Sequence, residues 1–214
     1  LEDLSPAVAG DHVAGATLDQ AERAIDTLAS FHAAWYEQPL LHELSWMPGL
    51  DDPQILSIGP MFEIGWPMFL DRFGDSLPER CLRWCEQFVG EIPEWIERHF
   101  DVPTTLVHGD YRLDNCMLGP DGSVIAVLDW EICTLGDPLA DVGLLMCYWP
   151  DPGDAAALPQ VSTVSLPGFP RRADLLAAYA KRSSLDLSGI DYYIAFGYWK
   201  LACIIAGVYA RYAG

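Results

Sequence analysis

TLVHGDYRLDNCMLGPDGSVIAVLDWE, residues Thr105 to Glu131, is the stretch on which the fold and the chemistry of this 214-residue chain turn. Asp110 stands five residues before Asn115, and Asp129 follows fourteen residues later at the end of an apolar run. Between them, Gly119-Pro120-Asp121-Gly122 separates Cys116 to Leu118 from Val124 to Leu128, which is the pattern of a β-hairpin. A hairpin brings its ends together, so Asn115 is expected beside Asp129. Before it, Thr105 to Val107 reads as a short strand that delivers His108.

Two carboxylates and a carboxamide at one place suit phosphoryl transfer. That reaction needs an orienter or base for the attacking hydroxyl and hard oxygen ligands for magnesium. Asp110 can accept the hydroxyl proton, and Asn115 and Asp129 can hold Mg2+. Arg112, two residues after Asp110, can turn a fixed positive charge toward the phosphoryl oxygens.

The ordered set His108-Gly109-Asp110, four residues, Asn115, a strand ending in Asp129, then Gly136-Asp137-Pro138-Leu139-Ala140-Asp141, resembles the catalytic and metal loops of aminoglycoside phosphotransferase-like kinases. These are relatives of protein kinases, whose loops read H-R-D-x-x-x-x-N and D-F-G. Gly109 stands in place of the arginine, and Trp130-Glu131 in place of Phe-Gly, which suits the small-molecule branch. Residues 168–212, GFPRRADLLAAYAKRSSLDLSGIDYYIAFGYWKLACIIAGVYARY, are similar to the subgroup related to the kinase-like domain attached to some acyl-CoA dehydrogenases. The resemblance thus covers essentially the whole chain.

That resemblance implies an α+β, mostly α-helical fold: the C-terminal lobe of a protein-kinase-like structure, with the short hairpin carrying the metal site. It implies Asp110 and Arg112 as catalytic residues, Asn115 and Asp129 as metal ligands, and His108 and Asp141 as structural support. Asp141 is then the buried acid that accepts hydrogen bonds from the catalytic-loop backbone. The opening Leu1-Glu2-Asp3-Leu4 is similar to the hinge bordering an adenine pocket, which makes Glu2, Asp3 and Leu4 the nucleotide-binding residues. The implied plan is residues 1–4 as hinge remnant and 5–214 as the catalytic and substrate lobe. The β-rich nucleotide lobe would lie outside the chain, without which it would be inactive. Mg2+ and ATP, with GTP as the alternative nucleotide, are the implied cofactors. The implied acceptor is a small-molecule hydroxyl, on an acyl or other metabolite in this subgroup and on aminoglycosides in the wider family.

Composition narrows the partners. With a net charge of −19 and 12 Lys plus Arg, a nucleic-acid-binding surface is not expected. A hydrophobic content of 51% argues for a filled core. The six cysteines form no CxxC pair, so reduced thiols in the cytoplasm are expected, and no leader-like segment opens the chain. Cys81 and Cys85 would share a helix face without a third ligand to make a metal site.

Outside the central stretch, Ala7 to Gly15 reads as a loop. Thr17 and Gln20 form a capping box for a helix to Trp35, on which His32 is a packed residue. Tyr36 to Pro67, with five prolines, is expected to hold only short helical turns. Trp46, Phe62, Trp66 and Phe69 are expected to fill core rather than line a substrate pocket. Ser76 and Glu79 suggest a second capping box, for a helix ending near Gly90, with a further turn starting at Pro93. After Gly136-Asp137-Pro138 a helix should run from Leu139 to Tyr148, with Asp137 placed to cap it. Asp151 to Phe169 reads as a surface loop, and helix returns at Arg172 to Arg182. The last helix, opened by Ser188 and Asp191, is apolar enough to raise the question of a membrane. Lys200 at its centre favours a buried helix and no membrane partner, because a central charge is costly in lipid.

Besides the kinase, two activities fit these residues: a kinase-like binding or regulatory domain without turnover, and a metal-dependent hydrolase with an activated water. The intact Asp110, Asn115 and Asp129 weigh against the first of these, and the missing histidine-rich ligand set against the second. The oligomeric state is not legible.

Overall fold

The computed structural model describes residues 3–11, 16–100, 102–151, 153–154 and 169–212. Its main elements are β1 (Val8–Ala9), α1 (Leu18–Trp35), α2 (Pro53–Leu56), α3 (Ile58–Phe73), α4 (Glu79–Glu97) and β2 (Thr105–Val107). They continue with β3 (Cys116–Leu118), β4 (Val124–Val127), β5 (Thr134–Gly136), α5 (Leu139–Cys147), α6 (Arg172–Ser183) and α7 (Ile190–Tyr212). Short 3-10 turns at Pro39–Glu43, Gly74–Ser76, Leu113–Asn115 and Trp130–Ile132 join them. The fold is mostly helical, as expected.

Thr17 starts α1 with the expected capping box: its Oγ1 accepts from Gln20 N at 3.2 Å, and Thr17 N donates to Gln20 Oε1 at 2.8 Å. Ala21, Ala24, Ile25, Leu28, Ala29 and His32 recur every three or four residues and form its buried stripe. That stripe meets Val142 and Met146 of α5 and Leu175 and Tyr179 of α6 in the central core. Each fully buried Ile or Leu there contributes about 1.5–3 kcal/mol.

The strands form two small antiparallel sheets. The expected hairpin is β3 against β4, with Cys116 opposite Val127. The other sheet pairs β2 with β5, Thr105 opposite Gly136 and Val107 opposite Thr134, so the chain leaves β2 at His108 directly beside the hairpin base. The loop read at Ala7 to Gly15 is part strand: Val8 and Ala9 pair with Leu118 and Met117. The edge of β3 offered unpaired backbone groups, and two extended residues satisfy them. Residues 12–15 of that loop, and 155–168 of the loop read after Asp151, lie outside the described residues.

The proline-rich stretch differs more. Instead of short turns alone it contains α3, sixteen residues long with Pro67 inside, while Pro60 sits in the first turn, where no helical N–H is needed. Likewise α4 passes through Gly90 and Pro93 as one helix, and Pro78 precedes it without a side-chain cap from Ser76. An interior proline costs about 3 kcal/mol or more. Packing offsets it: Phe62 stacks on Trp199 at 5.1 Å, Phe88 meets Trp199 at 5.2 Å, and Phe73 meets Tyr209 at 5.6 Å between ring centroids. Gly59 lets Pro93 approach, since a Cβ there would lie 3.1 Å from the Pro93 ring. The aromatic residues expected in the core are half-buried in this row, except Trp46, which is 72% exposed.

The last helix is also less buried than expected. It is long and apolar enough to cross a membrane, yet its buried residues are Ile190, Gly197 and Leu201, while Ile204, Ile205, Val208, Tyr209 and Tyr212 are exposed. Its first half presses on α5, where a Cβ on Gly143 would meet the Tyr193 backbone at 2.5 Å. Its second half has α3 beside it, through Phe73 on Tyr209 and Arg72 Nη1 donating to Ala210 O at 3.5 Å.

Burial pushes the thiols of Cys116 and Cys133 up to about 11 and that of Cys147 up to about 12. Two expectations follow from this packing. Gly143→Ala should force α5 and α7 apart and lower stability by about 1–3 kcal/mol, read from urea unfolding. At pH 8, where these three thiols remain protonated, iodoacetamide should leave them unmodified in the folded protein and alkylate all six cysteines after unfolding, as peptide mass spectrometry would show.

Candidate active site

The loop from His108 to Asn115 is held by three helices. From α5, Asp141 sends its two carboxylate oxygens into the loop: Oδ2 accepts from His108 N and Oδ1 from Gly109 N, both at 2.7 Å. Its Oδ2 also meets His32 Nε2 of α1 at 3.2 Å. A carboxylate only accepts, so this nitrogen carries the hydrogen, and His32 Nδ1 lies in hydrogen-bond contact with the Tyr179 hydroxyl at 2.6 Å. Burial raises the Tyr179 pKa, which keeps that hydroxyl protonated. From within the loop, Tyr111 donates to Ala24 O of α1 at 2.8 Å, and burial raises its pKa well above the ordinary value. Lys200 of α7 donates to Gly109 O at 2.6 Å.

His108 joins the loop to the hairpin. Its Nε2 lies 2.8 Å from Leu128 O, so it donates there, leaving Nδ1 to accept from Asp110 N at 3.2 Å. One ring therefore ties the residue before Asp129 to the backbone of Asp110. The hairpin adds a second tie, Leu128 N to Asn115 O at 2.7 Å. Asn115 Nδ2 donates to Asp110 O at 2.8 Å and approaches its Oδ2 at 3.4 Å. Asp129 adopts a left-handed backbone, φ 66°, ψ 52°. An aspartate tolerates that region better than bulkier residues, and the turn it makes sends the chain from β4 into the 3-10 turn at Trp130. Trp130 packs on His108, with centroids 4.6 Å apart, and closes that side of the loop.

Arg112 reaches back over Asp110 rather than away from it. Its Nε lies 3.3 Å from Asp110 Oδ2 and 3.1 Å from Asp114 Oδ1, and its guanidinium stands 5.9 Å from the Tyr148 ring centroid. Asp137 accepts from Leu139 N at 2.8 Å, so it caps α5, and its other oxygen accepts from Tyr193 at 2.7 Å. Among the nucleotide-binding residues expected at the start, Glu2 lies outside the described residues. Asp3 accepts from Ser5 N at 2.9 Å, and Leu4 O accepts from Ala7 N at 2.8 Å, a turn leading directly into β1.

The donor set can be tested against magnesium. Asn115 turns its amide nitrogen inward to Asp110 O, which leaves Oδ1 as its oxygen for another partner. Together with the Asp129 carboxylate this is a hard-oxygen pair of the kind Mg2+ takes when substrate phosphates complete its shell. In donor chemistry these two side chains suit the ion. Among the described residues, no group of three or more His, Cys, Asp and Glu side chains gathers as a metal site, Cys81 and Cys85 included.

Sequence inspection had no signal for the Lys200 contact, because 91 residues separate the partners. The closeness of Arg112 to Asp114 as well as Asp110 was within reach, since the three lie on alternate positions.

Helices around a pinned loop and hairpin make a kinase-like fold. A profile of the phosphotransferase enzyme family matches residues 3–175, and the chain belongs to that family. Its relatives include acyl-CoA dehydrogenase family member 11 of Rattus norvegicus, 31% identical over 198 residues, covering 81% of this chain and 23% of the relative. Family member 10 of Mus musculus is 34% identical over 161 residues, covering 66% of this chain and 15% of the relative. The chain therefore spans less than a quarter of either relative's length. A solved structure from Ralstonia eutropha, assigned to the aminoglycoside phosphotransferases, superposes with a TM-score of 0.60 at 23% identity, covering 91% of this chain and 56% of the other. The fold is thus that of the aminoglycoside phosphotransferases.

Replacing Asp141 by Asn would set an amide NH2 against one of the backbone donors it now receives. With two loop N–H groups and His32 dependent on it, Asp141→Asn should cost on the order of 3 kcal/mol in chemical unfolding.

Proposed function

We propose that this chain carries the phosphoryl-transfer chemistry of an ATP-dependent kinase acting on a hydroxyl group of a small molecule. The observation that carries the proposal is the coincidence at the loop: Asn115 bonded to Asp110, and Leu128, next to Asp129, tied to both Asn115 and His108.

Asp110 orients the acceptor hydroxyl and takes its proton as the new oxygen–phosphorus bond forms, while the bond from the γ-phosphorus to the β,γ-bridging oxygen breaks and the nucleoside diphosphate leaves with that electron pair. Arg112 neutralises charge near Asp110 and offers its remaining N–H groups to the phosphoryl oxygens. Asn115 Oδ1 and the Asp129 carboxylate hold Mg2+, which when bound supplies positive charge to the nucleotide's phosphates. His108 and Asp141 do not touch substrate in this scheme; they keep the loop in one geometry, which is where such catalysis gets much of its rate. Asp3 and Leu4, with Glu2, border the base of ATP or GTP.

The acceptor we favour is a hydroxylated acyl compound, supported by the acyl-CoA dehydrogenase names of the relatives rather than by pocket shape. The negative surface supports a non-nucleic acceptor, and six free thiols support a reducing, cytoplasmic setting.

In the full-length gene product, transfer from γ-labelled ATP to a panel of hydroxylated acyl compounds should be abolished by Asp110→Ala with Mg-ATP affinity kept within about threefold. Asp129→Ala should instead weaken Mg-ATP binding by about tenfold or more in calorimetry. Transfer that survives Asp110→Ala would remove that residue from its role, and binding of Mg-ATP without any turnover would favour a regulatory domain.

A further inference from the structure

One of the chain's two lysines reaches the catalytic loop from the middle of α7. The carbonyl that Lys200 binds, at 2.6 Å, belongs to the peptide unit whose other end is the Asp110 N–H. That N–H donates to His108 Nδ1 at 3.2 Å, so both ends of the unit are fixed. The preceding unit is fixed too, by Gly109 N on Asp141 Oδ1 at 2.7 Å. Gly109 itself can supply nothing: it sits at φ +85°, and a Cβ there would lie 3.0 Å from Ile132 O. A cation at this point of the loop has to come from another element, and α7 provides it.

We propose that Lys200 is a positioning residue for phosphoryl transfer: its ammonium locks the Gly109–Asp110 peptide plane and so aims the Asp110 carboxylate at the acceptor hydroxyl. This rests on the phosphotransferase function proposed above. A bond from an ammonium is about twice as strong as one between neutral groups. By polarising the Gly109 carbonyl it also strengthens the Asp110 N–H at the far end of the same unit as a donor to His108. The charge is costly to hold, since burial lowers the Lys200 pKa while Asp141 and Asp110 work the other way. An apolar side chain on this apolar helix would avoid that cost but would leave the Gly109 carbonyl without its partner.

The test uses the full-length gene product and one probe, phosphate released from γ-labelled Mg-ATP with water as acceptor. Lys200→Met should lower kcat by about tenfold to a hundredfold with KM for Mg-ATP unchanged. Lys200→Arg should recover part of the loss. Lys200→Ala, shown folded by circular dichroism, should regain turnover when propylammonium is added, which a purely structural loss would not allow. Wild-type kcat in Lys200→Met, a change confined to KM, or a folded Lys200→Ala that propylammonium leaves inactive would each overturn the assignment. If the wild type turns over and Asp110→Ala does not, those results remove Lys200 alone; a wild type that neither releases phosphate to water nor transfers it to any of the hydroxylated acyl compounds removes the underlying function and this inference with it.

Discussion

Everything at the site depends on one buried carboxylate. Asp141 is fully inaccessible and accepts from two consecutive backbone N–H groups of the loop and from His32. Two successive donors aimed at one carboxylate leave the loop little freedom, because rotating either peptide would strand a buried donor. His32 and Tyr179 continue the chain of hydrogen bonds into α1 and α6, so the loop's conformation is set by the packing of the core rather than by its own sequence.

On the side facing the hairpin, the constraint is the His108 ring. A ring that donates to Leu128 and accepts from Asp110 keeps two segments in register though 18 residues part them along the chain. Asp129 then leaves β4 in a left-handed conformation, a geometry that costs energy and persists because the strand pairing before it and the Trp130 turn after it define the path. In a chain of net charge −19, the few cations near this point carry unusual weight. Arg112 lies between Asp110 and Asp114, and Lys200 lies behind Gly109, so each cation of the loop is set against the carboxylates around it.

Elsewhere the molecule shows how packing overrides local rules. Pro67 and Pro93 would end helices read from sequence alone, yet α3 and α4 run through them because their aromatic faces stack against α7. The same stacking accounts for half-buried rings where a closed core was expected. On α7, close contact with α5 at Gly143 and Gly197 holds one half, and the other half keeps its apolar side chains exposed.

What the amino-acid sequence determined by itself were the features built from near neighbours. The Thr17 box, the hairpin around Gly119 to Gly122, the Asp137 cap and the spacing of Asp110, Asn115 and Asp129 all rest on bonds a few residues apart or on turn chemistry. The family resemblance was legible for the same reason, since its motif is local. Only the tertiary structure decided that prolines sit within long helices, that Val8 and Ala9 complete a sheet edge, and that Lys200 meets Gly109. Each of these depends on groups tens of residues apart, where the favourable contact exists only once the intervening chain has folded and no periodicity or spacing announces it.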